Sequence, residues 1–381
     1  MGGWRLPRAA LRTPRQGRRC ADLGGGYGRV STLCGFGEEV EMTEREQLVR
    51  DAHAVFLPAI DESSVPGHIS DHLAAGGTSV LIGESREEYV AREMSPERRL
   101  AETSEWFLEM TNEIRDRAGG KALVAIDHEL GGIQRLHALA TALPSPTEAV
   151  SADEWSIKTA AARLADECSA LGINVVLSPI VDVVTGSNPW LEARTVSSDV
   201  STVSRVATAF VHGLQSSGRV AATAKHFPGH PLVALDPALH ETSVVEATRG
   251  ELEPSLDVFR AVIDAGVRVI MTGPTLVPAF DTDHAASRSA AIVHFLRTDL
   301  GFGGVILSDD LDAPGILRGS SLEQAAIDAL TAGIDWLLVA GTPNLPSLVA
   351  AVVNAVTMER LSSARVHAAA QAVRTLTGDI G

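Results

Sequence analysis

The stretch "VAATAKHFPGH", residues 220–230, decides how the chain is read. A small apolar run leads straight into Lys225 and His226, and a Pro-Gly pair then turns the backbone. An apolar run without polar alternation suits a strand buried on both faces, the condition of a parallel sheet. Similar runs recur at "AVFLPAI" (54–60), "TSVLIG" (78–83), "ALVAID" (122–127), "INVVLSPI" (173–180), "VRVIMTG" (267–273), "GVILSDD" (304–310) and "DWLLVA" (335–340). Between them lie segments of helical period: "SIKTAAARLADECSALG" (156–172), "VSRVATAFVHGLQSSG" (203–218) and "EPSLDVFRAVIDAG" (253–266), each ending at a glycine as a helix C-cap does. Eight strands alternating with helices predict one α/β domain over residues 42–381, a (β/α)8 TIM-type barrel whose last helices, around 347–377, close the ring. An open doubly wound sheet would want a glycine-rich phosphate turn after an early strand. The "IDHELGGIQR" stretch (126–135) lacks it.

Composition narrows the function classes. Hydrophobic residues make up 45% of the 381, yet no run is long and apolar enough to span a bilayer. The formal charge of -16 repels phosphate backbones and anionic lipid, so neither nucleic acid nor a membrane surface is expected as partner. A small-molecule substrate is. Three cysteines, Cys20, Cys34 and Cys168, show neither CxxC spacing nor an even count, which fits a reducing cytoplasm better than a disulfide framework. Residues 1–41 differ from the rest, with seven Arg and one Asp before residue 30. They are read as a basic, disordered extension, without the apolar core of a signal peptide. Met42 then opens "MTEREQLVRDAHAVFLP", in which Thr43 and Glu46 form a capping-box pattern, and Met42 is read as the natural start.

Placed on a barrel, the polar residues converge. Asp127 ends the third strand, Lys225 and His226 the fifth, Ser308, Asp309 and Asp310 the seventh, and Arg194 lies in the loop after the fourth. Barrel active sites form at the C-terminal ends of the strands, so these residues are expected to share one site. Asp310 reads as a helix cap or salt-bridge partner, since two adjacent carboxylates hardly do the same job.

Taken together, "KHFPGH", "SDDL" and "IDHELGGIQR" resemble glycoside hydrolase family 3, in particular its single-domain β-N-acetylhexosaminidase branch, which acts in peptidoglycan recycling. The resemblance spans about residues 45 to 375 and implies the same barrel. It implies retaining hydrolysis of terminal β-linked N-acetylhexosaminides through a covalent glycosyl ester on Asp309, the first Asp of "SDDL". Asp127, Arg135, Arg194, Lys225 and His226 match residues that bind the sugar. No cofactor or metal is implied. Side chains as close in sequence as Asp127, His128 and Glu129 diverge on an extended segment and are not expected to hold a metal.

The chain departs from the family pattern where the acid/base belongs. Family members carry Asp-Ser-His in a loop after "KHFPGHG". Here Pro231 follows the His, and Asp236 is separated from His240 by Pro-Ala-Leu. Residues four apart meet across one helical turn, so His240 held by Asp236 is the expected acid/base pair, with a surface role for His240 as the alternative. Gly132 stands where an Arg is usual, "MTGPTL" (271–276) replaces a family His, and His230 reads as a structural residue of the turn. Two other readings stay open: an enzyme with an altered loop acting on another amino-sugar conjugate or acceptor, and a sugar-binding homologue that has lost its acid. Oligomeric state is not legible.

Overall fold

The computed structural model describes residues 42–341 and 344–381. The segment 1–41, read above as a disordered extension, lies outside the described residues.

Eight strands form where the apolar runs predict them: β1 (Phe56–Ile60), β2 (Ser79–Ile82), β3 (Leu123–Ile126), β4 (Val175–Val176), β5 (Ala221–Phe227), β6 (Val269–Thr272), β7 (Val305–Leu307) and β8 (Leu337–Ala340). All neighbours pair in parallel, in the order β7-β6-β5-β4-β3-β2-β1-β8. The ring closes between β7 and β8 through a parallel bridge, Leu307 to Trp336, and the Ser308 N–H donates to the Trp336 carbonyl at 2.9 Å. The run 173–180 keeps just two ladder residues. Pro179 brings no N–H to a ladder, and pairing resumes at Ile180 opposite Lys225.

Inward-facing residues from all round the ring, among them Leu57, Leu123, Val175, Val269 and Trp336, fill the barrel. Each fully buried aliphatic or aromatic side chain contributes roughly 1.5–3 kcal/mol by leaving water. Trp336 satisfies its one polar atom by donating from Nε1 to Ser79 Oγ at 3.0 Å, which ties β8 to β2 inside the core. The last two helices behave differently from each other. Leu345–Thr357 takes a place in the outer ring, between Leu322–Ala332 and Glu44–Ala54. Ser363–Ile380 instead sends Val373, Leu376 and Ile380 into the interior cluster and receives Lys121 Nζ, just before β3, at the Gly378 carbonyl, so it plugs the N-terminal floor of the barrel.

Local signals explain the helix ends. Thr43 and Glu46 form the expected capping box: the Glu46 N–H donates to Thr43 Oγ1 at 3.2 Å, and the Thr43 N–H donates to Glu46 Oε2 at 2.8 Å. The helices Glu154–Ala170 and Arg249–Asp264 each run out into a glycine with left-handed backbone, Gly172 at φ 78° and Gly266 at φ 77°. With the floor plugged, the opposite end is left open for ligands. No helix among the described residues is long and apolar enough to cross a membrane.

Candidate active site

A cavity of about 510 Å³ opens at the C-terminal ends of the strands. β3 delivers Asp127, β5 delivers Lys225 and His226, β7 leads to Asp309 and Asp310, and the segment after β4 adds Trp190 and Arg194. The sequence placed five of these seven by strand register alone.

One wall is an ion network. Lys225 Nζ lies 2.6 Å from Asp127 Oδ1 and 2.7 Å from Glu129 Oε1, and Arg194 Nη2 lies 2.7 Å from the same Glu129 oxygen. A second donor, Arg194 Nε, reaches Glu129 Oε2 at 3.1 Å, making the pair bidentate. Burial works against every one of these charges. For Glu129 the burial cost is outweighed by Arg194 and Lys225, which hold its carboxyl well below the usual range. For Lys225, burial disfavours the ammonium, but Asp127 and Glu129 outweigh it and raise its pKa. Asp127 is left short of compensation, and burial raises its pKa despite Lys225. Glu129 escaped the sequence reading as a functional residue. Residues two apart on extended backbone point the same way, so Asp127 and Glu129 both face Lys225 while His128 turns into the core and accepts from the Leu136 N–H at 3.4 Å.

Behind this wall lies a second device. Asp182, fully buried, accepts from the His226 ring at Nδ1 (2.8 Å) on one carboxylate oxygen and from the His230 ring at Nδ1 (3.0 Å) on the other. Burial of Asp182 is more than offset by the two imidazoles, which hold its pKa low. With Nδ1 committed to Asp182, His226 presents its other ring nitrogen away from the carboxylate, and burial keeps the ring neutral to lower pH than usual. His230 anchors the turn as expected, but through a carboxylate as well as through its own carbonyl, which accepts from Asn188 Nδ2 at 2.8 Å. Asp182, His226 and His230 are a cluster with ligand atoms within 4.8 Å of one another, a spacing that metal ligands also adopt. Here both Asp182 oxygens are already spent on orienting the rings.

Asp309 is held from the backbone. Its N–H donates to Ser287 Oγ at 3.1 Å, and Ser287 in turn is fixed by Thr272 Oγ1 (2.9 Å) and the Gly273 carbonyl (3.0 Å). Oδ1 accepts from the Asp310 N–H at 2.8 Å, whereas Oδ2 is shielded from solvent and has no partner among the described residues. Asp310 caps a turn, accepting from the Asp312 N–H at 3.1 Å, and the helix that follows starts after Ala313. Burial, with Asp312 and Asp309 beside it, pushes its carboxyl up to about 8. Glu84, at the end of β2, also lines the cavity, and burial together with Asp127 pushes it up to about 8. Nothing singled out Glu84 in the sequence. Its signal was the one used for Asp127, a carboxylate just past a strand.

Three expected site residues sit elsewhere. Arg135 does not line the cavity: its side chain is 0% exposed, with Nη1 at 2.6 Å and Nη2 at 3.0 Å from the Glu102 carboxylate and Nε donating to the Gly83 carbonyl at 2.8 Å. It props the β2 end from behind, because a buried guanidinium needs a carboxylate more than a sugar hydroxyl. Asp236 and His240 lie on a segment strapped over the mouth of the site. Arg86 Nη2 donates to the Ala238 carbonyl at 2.8 Å, Gly315 N–H to the Pro237 carbonyl at 2.8 Å, and Arg318 Nη1 to the Glu241 carbonyl at 2.7 Å. Within that segment Ala238 lines the cavity, while His240 is exposed.

The sequence model of a family described as "Glycosyl hydrolase family 3 N terminal domain" matches residues 91–376. A beta-hexosaminidase of Neisseria meningitidis is 31% identical over 249 residues, 62% of this chain and 68% of its own length. A beta-hexosaminidase of Idiomarina loihiensis is 32% identical over 244 residues, 62% of this chain and 72% of its own length. Among solved structures, a beta-N-acetylhexosaminidase from Beutenbergia cavernae superposes with a TM-score of 0.74 at 29% identity, over 87% of this chain and 98% of that one. A glycoside hydrolase family 3 beta-N-acetylglucosaminidase from Paenibacillus sp. superposes with a TM-score of 0.78 at 24% identity, over 87% of this chain; this chain spans 62% of its length, and the likeness is one of fold.

Proposed function

Since this chain belongs to glycosyl hydrolase family 3, we propose that it hydrolyses terminal β-linked N-acetylhexosaminides with retention, through a glycosyl ester on Asp309. The observation that carries this reading is the placement of Asp309. One of its carboxylate oxygens has no partner among the described residues, and the carboxylate borders a cavity walled by Asp127, Lys225, Arg194 and His226.

A carboxylate in that position attacks the anomeric carbon as the glycosidic bond breaks, and its charge stabilises the oxocarbenium-like transition state. Its backbone tether to Ser287 fixes the angle of approach. The proton for the leaving oxygen is assigned to His240, which requires the strap at Pro237, Ala238 and Glu241 to shift so that the imidazole faces the cavity. After the aglycone leaves, the neutral imidazole takes a proton from water, and that water cleaves the ester. Across the sugar, Asp127 accepts from ring hydroxyls while Lys225 donates to them, a pairing that polyols satisfy and apolar ligands do not. Arg135 supports this wall through the Gly83 carbonyl instead of touching the sugar. The cysteine count supports a cytoplasmic setting for the reaction.

The test is hydrolysis of an aryl N-acetyl-β-glucosaminide by the wild type and by Asp309→Ala, with NMR on the fresh product. The wild type should release the β-anomer first, and the variant should fold normally and lose about three orders of magnitude in turnover. Near-normal turnover by Asp309→Ala, or an α-anomer released first, would sink the proposal.

A further inference from the structure

Tyr89 projects into the same cavity from the segment after β2, just ahead of the residues that the family model matches. Its hydroxyl oxygen accepts two hydrogen bonds, from Trp190 Nε1 at 3.2 Å and from Arg194 Nη1 at 3.1 Å. Neither donor has another way to serve: an indole N–H and a guanidinium N–H donate and never accept. Both lone pairs of the phenol oxygen are therefore occupied, and the only bond left to it is one it donates. No acceptor for that proton exists among the described residues. Burial raises the phenol pKa, so the proton is retained at neutral pH. The Arg194 guanidinium, 5.6 Å from the ring centre and locked to Glu129, keeps the tyrosine from turning away.

Resting on the reading that the cavity holds an N-acetylhexosaminide, we infer that Tyr89 is a substrate-binding residue whose hydroxyl donates to an oxygen of the bound sugar. A half-buried cavity donor with no protein acceptor discriminates between ligands, because one lacking the matching oxygen leaves it unsatisfied. Trp190 and Arg194 are then positioning residues for the phenol, in addition to any contact of their own.

The composition makes this testable by direct observation. The chain has two tyrosines, Tyr27 and Tyr89, so protein made with 3-fluorotyrosine gives two fluorine resonances, which Tyr27→Phe assigns. On titration with N-acetylglucosamine the Tyr89 resonance should move saturably. In parallel, Tyr89→Phe should lower kcat/KM for an aryl N-acetyl-β-glucosaminide by about 10-fold or more, with a lowered Tm because Trp190 Nε1 and Arg194 Nη1 lose their acceptor. A Tyr89 resonance that stays put at sugar concentrations that inhibit hydrolysis overturns the inference and leaves the proposed function standing. A shifted Tyr89 in a protein that hydrolyses no hexosaminide does the reverse. If neither the shift nor hydrolysis occurs, both fall.

Discussion

Asp236 and His240 are joined through the backbone alone: the His240 N–H donates to the Asp236 carbonyl at 2.9 Å, while Asp236 Oδ1 accepts from the Ala238 N–H at 2.8 Å. The spacing of four does make one helical turn, but the carboxylate is spent on the turn itself and not on the imidazole.

Because His240 is assigned the proton transfers, His240→Ala should slow poorly activated glycosides by about 100-fold or more while sparing the first step on an aryl glycoside. Added azide, which attacks without a base, should then restore turnover and yield a β-glycosyl azide. Equal, small effects on both substrate types, without azide rescue, would make His240 a bystander and point to a protonated cavity carboxyl such as Asp310.

Glu129 is the shared counter-charge of Lys225 and Arg194, and all three are nearly inaccessible to water. Glu129→Gln leaves two buried cations with Asp127 as their one carboxylate partner among the described residues. Removing one member of a buried ion network costs about 3 kcal/mol or more, which urea denaturation should register as a shifted midpoint with unchanged slope. A loss below about 1 kcal/mol would mean that water or a relaxed Tyr89 replaces the carboxylate.

The barrel was legible because parallel strands buried on both faces leave unmistakable apolar runs, and their polar end residues then fall into one site. What escaped was held by partners distant in sequence. Asp182 sits inside "SPIVDVV", where it reads as an interruption of an apolar run; a buried carboxylate there demanded two donors, and these were the two histidines of "KHFPGH". Arg135 carries the spacing of a sugar ligand, but Glu102, a residue on no recognised motif, claims its guanidinium. The strap over the cavity owes its position to Arg86 and Arg318, whose partners are backbone carbonyls and so leave no mark in the sequence.

Glu84 offers a test by pH. Its folded pKa is raised by burial, and by Asp127, from the ordinary 4.5 to about 8, so between those values the native state holds a proton that the unfolded state has released. Stability therefore declines as pH rises through that window. Glu84→Gln removes the effect, and the difference in Tm between variant and wild type should shift in the variant's favour from about pH 5 to about pH 8. A flat difference, or one that shifts the other way, would show that Glu84 is ionised in the native protein and that a cation answers it.

The central claim is that Asp309 carries the glycosyl group, and the most direct measurement is to acid-quench the wild type during turnover of an aryl N-acetyl-β-glucosaminide and map the modified peptide by mass spectrometry. The account predicts a single hexosamine ester on Asp309, absent from Asp309→Ala. An ester on any other carboxylate, Asp310 and Glu84 included, would contradict it.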